Sequence, residues 1–561
     1  MIAYFARREN EPYATFGEAP VKSQCLPFSQ IPHTTKLFTD FLSYPEKVQQ
    51  FYPRSPRFSD WFEQAASDLA YDAGRRKRVC SILERQNTSW NASSKTFENI
   101  ARMRSGAAAV VTGQQVGLFG GPLFSLFKAL TAVKLADEAS ARGVNCVPVF
   151  WLATEDHDLE EVNHVFVPGP DHSLQNVIAP PKGLLHSPVG TIEFGSEVEA
   201  VVKQVEELLG ESEITGMLRE AYRAGETLGT AFARLFSSLF SRWGVILLDA
   251  ADPELHQIAE PIYGEAAEQA AEINGLLQAR GKALEAAGYD QQVKVTSSST
   301  LLFALVKGDR IPVHRHTTSD VDESAFLIGE ERLTKTELRN RIHTRPQDFS
   351  PNVLFRPVVQ DYLLPTIAYA GGAAEIAYFA QAADVYKTLL GKVTPVVPRF
   401  SATIVDAKPQ ALLERYRLRF TDIFQAPEQL RQFLGAETLP QGLNKAFEDA
   451  ESAVQKSISS IREGLESLDK TLLESASTAE SKILYQLTGL HSKAARAELR
   501  HSEILGRHAE ILCNALYPHR TLQEREVAGV YFLAHHGTGL LQDLYDAIHL
   551  ECLDHQIITL N

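Results

Sequence analysis

Cysteine is scarce in this chain, which carries five in 561 residues. They lie at Cys25, Cys80, Cys146, Cys513 and Cys552, and no two of them form a Cys-x-x-Cys pair. Scattered cysteines in odd number argue against a zinc knuckle and against a disulfide framework. The sequence therefore predicts free thiols and a reducing compartment, the cytoplasm.

A long apolar run and an excess of positive charge are also missing. No run is long enough to span a bilayer, and Met1–Asn10 lacks the apolar core of a signal peptide. The 55 Lys and Arg residues face 70 Asp and Glu residues, which gives a formal net charge of −15. This charge argues against nucleic acid or an anionic membrane as the main partner. It leaves room for a local basic pocket that binds an anionic small molecule.

The chain contains 44% hydrophobic and 22% charged residues, which is typical of a globular protein. Its length exceeds that of a single compact core, so several lobes are expected. One βαβ unit is predicted between residues 107 and 164. Its strands are Ala107–Val111 and Val147–Ala153, and Pro122 opens the helix between them. On that helix the spacing predicts a solvent-exposed face made of Lys128, Thr131, Glu138 and Arg142.

Three further strand patterns follow, at Gly244–Asp249, Thr366–Ala370 and Thr394–Val397. A helix is predicted from Ala374 to Leu390 between the last two. Five strands with helices between them predict an α/β fold built on a Rossmann-like, doubly wound and mostly parallel sheet.

Two stretches interrupt this pattern and are predicted to be insertions. The first alternates short strands with Pro/Gly turns, and the second is a β meander of Gln292–Thr296, Leu301–Val306 and Ile311–Arg315 followed by a helix. We divide the chain into core (1–164), first insertion (165–243), core (244–291), second insertion (292–345), core (346–438), coiled coil (439–510) and a C-terminal segment packing on the core (511–561).

The coiled coil is predicted from apolar or small residues that recur three or four apart from Phe447 to Ala497. This spacing is close to a heptad repeat and favours a long helix with one apolar seam. Such a seam needs a partner, either another helix of the same chain or a second copy of it. Of the two, we expect a homodimer.

Two unusual sequences follow the first two predicted strands. The first is a Gly/Gln loop, Thr112–Gly121, which matches neither the dinucleotide fingerprint nor the P-loop. Its glycines allow close approach of a ligand, and Gln114 and Gln115 suit a polar small molecule. The alternative is a tight strand–helix turn with exposed amides.

The second unusual sequence is the acidic cluster Glu155–Asp158. Asp158 and Glu161 fit a helix N-cap and its third position. Asp156, His157 and Asp158 could instead act as acid and base or bind an ammonium group. If this segment is helical, His157, Glu161 and His164 share one face and could ligate a divalent metal. The spacing leaves all three interpretations open.

A third polar group lies after residue 350. Arg356 has the fork geometry that clamps a carboxylate or phosphate. Gly371-Gly372 lies at the end of a predicted strand and before a predicted helix, the same position as the glycines of the Gly/Gln loop. Glu375 falls in the first turn of that helix. The other candidates in this group are Asn352, Gln360, Gln381 and Arg399. Each of them could equally make a structural hydrogen bond or ion pair.

Together these motifs resemble the bacillithiol biosynthesis cysteine-adding enzymes, the BshC type of cysteine ligase. The resemblance rests on motifs in matching order and spacing across essentially the whole chain: Thr112–Gln115 into Gly120–Pro122, Phe150-Trp151 into Glu155–Asp158, Ser350–Pro357, Gly371–Gln381, Val397–Arg399, Leu522–Arg525 and the coiled coil. It implies a Rossmann-type core with two insertions and a coiled coil that dimerises. It also implies a relation to nucleotide-handling ligases such as pantothenate synthetase.

The implied reaction joins the carboxyl group of L-cysteine to the amino group of glucosaminyl malate, the last step of bacillithiol biosynthesis. Such a step needs an activated cysteinyl carboxylate, and we suspect ATP or another nucleotide, accompanied by Mg²⁺, with no metal held by the protein itself. We assign catalysis to Asp156, His157 and Asp158. We assign substrate binding to Gly113, Gln114, Gln115, Glu155, Asn352, Arg356, Gln360, Glu375, Gln381 and Arg399, and nucleotide binding to Arg520, Gln523 and Arg525.

Two rival functions remain at this point. One is a metal-dependent hydrolase or deacetylase that uses His157, Glu161 and His164 as metal ligands. The other is a non-catalytic coiled-coil dimer that binds a small ligand.

Overall fold

The computed structural model describes residues 15–16, 21–180, 186–316, 325–501 and 503–560. Met1–Asn10, the stretch predicted to lack a signal-peptide core, lies outside these ranges. The strands are β1 (Thr15–Phe16), β2 (Val21–Leu26), β3 (Ala108–Gln114), β4 (Cys146–Leu152), β5 (His164–Pro168), β6 (Leu174–Ile178), β7 (Ile246–Asp249), β8 (Ser299–Val306), β9 (Asp309–His316), β10 (Ala325–Ile328), β11 (Glu331–Thr334), β12 (Phe349–Pro351), β13 (Thr366–Gly371), β14 (Val396–Pro398), β15 (Ala402–Val405) and β16 (His555–Leu560).

The helices of the same ranges are α1 (Lys36–Ser43), α2 (Pro45–Val48), α3 (Phe62–Ser67), α4 (Ala73–Ser89), α5 (Ser94–Arg104), α6 (Phe124–Ala141), α7 (Leu159–Val162), α8 (Glu197–Leu209), α9 (Glu213–Ala221), α10 (Leu228–Leu239), α11 (Pro253–Glu268), α12 (Ala270–Ala286), α13 (Lys335–Thr344), α14 (Arg356–Leu363), α15 (Ala373–Leu390), α16 (Ala407–Arg415), α17 (Pro427–Glu437), α18 (Gln441–Leu468), α19 (Leu472–His501), α20 (Glu503–Leu516), α21 (Gln523–Glu526), α22 (Gly529–His536) and α23 (Leu540–Ala547).

The central sheet has the order β14-β13-β3-β4-β7, and all its neighbouring strands are parallel. The chain enters at β3, moves outward through β4 to β7, and then returns to the other side of β3 with β13 and β14. This is the strand order of a doubly wound Rossmann-type sheet. The predicted fold class is therefore confirmed. The direction of winding reverses between β3 and β13.

Both faces of this sheet are buried, in agreement with its apolar strands. Val111 and Val149 belong to the same core cluster as residues of α4, α5 and α11. Val110 faces α6, and Phe150 contacts α10 on that same side. Strands covered on both faces read as almost continuous apolar runs, so their positions were visible in the sequence.

The second insertion forms an antiparallel sheet with β12, which follows it in the core, in the order β11-β10-β9-β8-β12. The meander was predicted in part, because β8 and β9 match it while Gln292–Thr296 is not a strand. The backbone N–H and C=O of Val293 instead bond to the side-chain amide of Gln381, both at 2.8 Å. The first insertion contributes the β5–β6 hairpin and helices α8, α9 and α10.

A third sheet, β1-β2-β16-β15, brings the two ends of the chain together. Beside it Cys25 and Cys552 are joined in a disulfide, so the prediction of free thiols is wrong for this pair. A separation of 527 residues hid their proximity, which arises because β16 pairs with β2. Cys80, Cys146 and Cys513 are free.

The predicted coiled coil is present as two long helices, α18 and α19. The break between them is stabilised by Asp469, whose Oδ1 accepts from the backbone N–H and the hydroxyl of Thr471. Phe447 near the start of α18 contacts His491 near the end of α19, so the helices run antiparallel. The apolar seam thus has a partner within the chain. Among the described residues, no helix is long and apolar enough to cross a membrane.

One close contact fixes the segment that follows β4. A Cβ atom on Gly190 would lie 2.3 Å from Cβ of Thr154, far inside van der Waals contact. We expect Gly190→Ala to lower the free energy of unfolding by about 1–3 kcal/mol, since overpacked sites cost that much. Urea denaturation followed by circular dichroism measures the change.

Gly216→Ala in α9 is the matched control, because nothing lies within 4 Å of a Cβ at that position. This variant should be neutral or more stable, since Ala favours a helix over Gly by about 1 kcal/mol. Equal stability of the Gly190 and Gly216 variants would contradict the packing argument.

Candidate active site

A cavity of about 710 Å³ opens at the carboxyl ends of β3 and β13, where the winding of the sheet reverses. Doubly wound sheets bind their ligands at this position, and the volume suits a small molecule. The sheet contributes Gly113, Gln114 and Gln115 after β3 and Glu155 and Asp156 after β4. The second insertion covers the cavity with β8 and β9.

The Gly/Gln loop divides into a part at the cavity and a part that packs elsewhere. Gly113 lies opposite Trp151, and a Cβ there would come within 2.8 Å of the Trp151 carbonyl oxygen. Gly120 and Gly121 adopt positive φ angles of 86° and 73° in the turn that leads to α6. A Cβ on Gly120 would meet side chains of α10, so these two glycines serve the tight turn. Of this loop, residues 113–115 line the cavity, and their role in ligand binding stays a prediction.

Lys128 is the central cation of the site. Its Nζ lies 2.6 Å from Oε2 of Glu375, 2.7 Å from the carbonyl oxygen of Gly113 and 2.8 Å from Oε1 of Gln114. Burial lowers the pKa of Lys128 to about 8, against the opposite effect of Glu375. Burial alone would raise the pKa of Glu375, but Lys128 brings it below its usual value. The pair is therefore ionised at neutral pH.

Three arginines extend this cationic end of the cavity. Arg356 donates to Gln360 and Tyr378, at 3.0 and 2.9 Å. Arg399 bonds Glu524 through both terminal nitrogens, yet its buried Nε has no partner among the described residues. Lys128, Arg399 and Arg525 all lie within 6 Å of the Phe124 ring centre. With the N-terminus of α15 these groups favour an anion.

The opposite end of the cavity is acidic and holds Glu155, Asp156 and Glu161. Burial raises the pKa of Glu155 to about 8. Burial would also raise the pKa of Asp156, but hydrogen bonds from His157 and Gln115 and the charge of Arg310 lower it to about 2. The pKa values of two adjacent carboxyl groups are therefore shifted in opposite directions.

Gln114 and Gln115 connect the two ends. Gln114 accepts from Lys128 and donates to Oε1 of Gln115 at 3.3 Å. Gln115 in turn donates to Asp156 at 2.7 Å and to Glu161 at 2.6 Å. A continuous hydrogen-bonded chain thus fixes the spacing between the cationic and the acidic end.

The comparisons with known proteins agree with this fold. Residues 21–400 match the family model described as bacillithiol biosynthesis BshC, N-terminal Rossmann-like domain, and residues 402–560 match the C-terminal coiled-coil domain. The chain belongs to the BshC family. The resemblance seen in the sequence is thereby confirmed.

Three relatives with the name "Putative cysteine ligase BshC" illustrate this membership. The protein of Koribacter versatilis is 46% identical over 95% of this chain and 99% of its own length. That of Solibacter usitatus is 36% identical over 95% and 99%, and that of Salinibacter ruber 32% over 93% and 96%. The likeness therefore includes both the BshC core and the coiled coil.

Not every predicted site residue of this BshC chain reaches the cavity. The residues that line it are Gly113, Gln114, Gln115, Glu155, Asp156, Asn352, Arg356, Glu375, Arg399 and Arg525. Gln360, Gln381 and Gln523 are fully buried and bond to neighbouring protein groups instead. Arg520 is exposed. The roles assigned to these residues stay predictions.

His157 and Asp158 also lie outside the cavity wall. Nδ1 of His157 is 3.0 Å from Arg310, and Asp158 accepts from the Glu161 backbone N–H, which confirms the predicted N-cap. The proposed metal array required a helix through His157 and His164, and this was wrong because α7 covers only four residues and His164 begins β5. Within the described ranges no cluster of His, Cys, Asp or Glu could hold a metal ion.

Sequence reasoning missed Lys128 and Arg310. Lys128 was placed on a solvent-exposed face, but it is 3% exposed, and Thr131 is buried with it. The signal was present, since Lys128 and Lys134 are the charged residues between Phe124 and Ala136 and the rest of this stretch of α6 is mainly apolar. A helix that is apolar around most of its circumference is buried. No comparable signal marks Arg310, which enters the site from the second insertion.

Lys128→Met tests the central ion pair. We expect the free energy of unfolding to fall by about 3–5 kcal/mol, because a buried Glu375 carboxylate loses its partner. Adding Glu375→Gln should restore part of this loss, since the unpaired charge is then removed. Urea denaturation at pH 7 gives both values.

Lys134→Met on the same helix is the control, because Lys134 is half-buried and its Nζ donates to a backbone carbonyl instead of a carboxylate. If the Lys128 and Lys134 variants lost equal stability, the ion pair would not be the stabilising interaction.

Proposed function

We propose that this protein is an amide-forming ligase that joins L-cysteine to glucosaminyl malate in the last step of bacillithiol biosynthesis. Membership of the BshC family supports a role in that pathway, and the names of its relatives support a ligase. The observation that carries the finer proposal is the two-ended cavity, which offers one site for an anion and another for an amine.

The cationic end suits a carboxylate or a phosphate. Arg356 and Arg399 can hold such a group, and Nε of Arg399 is a donor that bonds to no residue the structure describes. Donors arranged before the reaction also stabilise the oxyanion of a tetrahedral intermediate. The acidic end suits the ammonium group of the second substrate, with Asp156 ionised at neutral pH.

A free carboxylate must be activated before an amine can displace an oxygen from it. A nucleoside triphosphate such as ATP would supply the activating phosphate or nucleotidyl group, with Mg²⁺ as its counterion. The residues that fit its anionic part are Arg356, Arg399 and Arg525. Of the three residues assigned to the nucleotide from the sequence, Arg525 alone is a cavity residue.

Homodimerisation is part of the proposal. Ile461, Leu468 and Tyr485 on α18 and α19 are 51%, 77% and 68% exposed in the single chain. Apolar side chains exposed along a coiled coil are typical of a surface that another protein covers. A second copy of the chain is the partner that the family resemblance implies.

The product assay tests the proposed reaction. Pure protein is incubated with L-cysteine and glucosaminyl malate, with and without ATP, and the product is measured by mass spectrometry. We expect cysteinylated product with ATP only, together with AMP or ADP. No product in either sample, from protein shown to be folded and dimeric, would contradict the proposal.

Arg356→Gln tests whether the cationic end of the cavity binds a substrate carboxylate. Loss of one charged hydrogen-bond donor costs about 1.5–3 kcal/mol, so KM for the carboxylate-bearing substrates should rise by about tenfold to a hundredfold. Steady-state kinetics with each substrate varied in turn shows which carboxylate Arg356 contacts. Arg332→Gln, an exposed position of the second insertion, should leave KM unchanged. An unaltered KM for Arg356→Gln would remove this residue from the binding site.

A further inference from the structure

Glu155 is an acidic residue of the cavity wall with a buried oxygen that accepts no hydrogen bond from any described residue. It lies beyond the end of β4, is 9% exposed and forms part of the cavity wall. Its Oε1 is buried and makes no hydrogen bond with any described residue. Nε2 of His256 is 3.2 Å away but outside hydrogen-bonding geometry. Glu155 thus reaches the cavity as a buried carboxyl group without a hydrogen-bonding partner at Oε1 in the described part of the chain.

The surroundings of Glu155 bring the pKa of its carboxyl group close to neutral pH. Burial raises its pKa to about 8, Asp249 and Asp156 act in the same direction, and Arg310 and Arg356 oppose them. His256 does not supply a compensating charge, because burial lowers its pKa to about 4. The groups that face Glu155 are Arg310, Arg356, Asp249, Asp156, His256 and Tyr263.

The residues first assigned to proton transfer are less well placed. Nδ1 of His157 lies 3.0 Å from Nη1 of Arg310, so this ring nitrogen faces a guanidinium group of the protein. Asp158 caps α7 through its Oδ1. Neither residue belongs to the cavity wall, whereas a general base must reach the proton that it removes.

We propose that Glu155 is the general base that deprotonates the attacking amine, while the neighbouring Asp156 stays ionised and holds the ammonium group. This assignment rests on the proposed ligase function. Two adjacent carboxyl groups with separated pKa values are typical of sites in which one transfers protons and the other stabilises charge. A base that titrates near the working pH also transfers protons efficiently.

The proposed step balances in atoms and electrons. The Glu155 carboxylate takes one proton from the ammonium group, and the freed nitrogen lone pair forms the C–N bond to the carbonyl carbon of the activated cysteine. The carbonyl π electrons move to oxygen and return when the C–O bond to the phosphate leaving group breaks with its electron pair. The second N–H proton passes to water.

Glu155→Gln is the first test, since it keeps the shape of the side chain and removes its basicity. We expect kcat to fall by about a hundredfold or more, with the Kd of glucosaminyl malate changed less than threefold. In wild type kcat should rise with pH up to about 8 and then level, and this limb should be lost in the variant. Glu155→Asp should keep the limb at a lower rate.

A second readout does not depend on activity. The folded-state pKa of Glu155 is raised, so its contribution to the stability of wild type falls as pH rises from about 5 to 8. Glu155→Gln lacks this contribution. The difference in Tm between the two should therefore grow over this range in favour of the variant. Glu160→Gln, an exposed carboxyl group on the same segment, should match wild type in kcat, pH profile and Tm.

The outcomes separate this inference from the proposed function. If wild type forms no cysteinylated product, the proposed function fails and the role of Glu155 fails with it. If wild type forms product and Glu155→Gln keeps its kcat and its pH limb, the role of Glu155 alone is overturned. A constant Tm difference across pH 5 to 8 would likewise overturn it.

Discussion

The ion pair between Lys128 and Glu375 lies where β3 and β13 end side by side, and the rest of the site depends on it. Lys128 also holds the carbonyl oxygen of Gly113 and the side chain of Gln114. Glu375 accepts from Tyr369 and from the backbone N–H of Gly372. One buried cation thus joins two strand ends and two helices that are distant in the sequence. Because a buried charge cannot be left unpaired, these elements are held in one arrangement.

A chain of hydrogen bonds leads from this pair to the acidic end of the cavity. Gln114 and Gln115 connect Lys128 to the carboxyl groups of Asp156 and Glu161 through side-chain hydrogen bonds. Neutral amides suit this role because each of them can donate and accept at once. A charged residue in either position would be attracted to one end and repelled by the other.

The sequence revealed those parts of the structure that depend on local pattern. Apolar runs such as that of β4 located the sheet, and polar residues directly after them, Glu155 and Asp156 among them, located the cavity edge. Burial of Lys128, by contrast, depends on which elements pack around α6. Arg310 comes from an insertion whose docking no local pattern encodes. No local pattern showed either that the amide of Gln381 bonds to the backbone of Val293. The disulfide between Cys25 and Cys552 also depends on tertiary packing, which no local pattern in the sequence encodes.

The terminal sheet has a consequence for how the chain folds during its synthesis. β2 is made early, but its partner β16 follows more than 500 residues later, as the 527-residue span of the disulfide illustrates. Glu524, which binds the wall residue Arg399, is also late in the chain. A ribosome-bound chain can therefore form the central sheet while β2 still has an open edge. The cationic end of the cavity is completed only when the last elements emerge from the ribosome, so an unfinished chain carries an incomplete site.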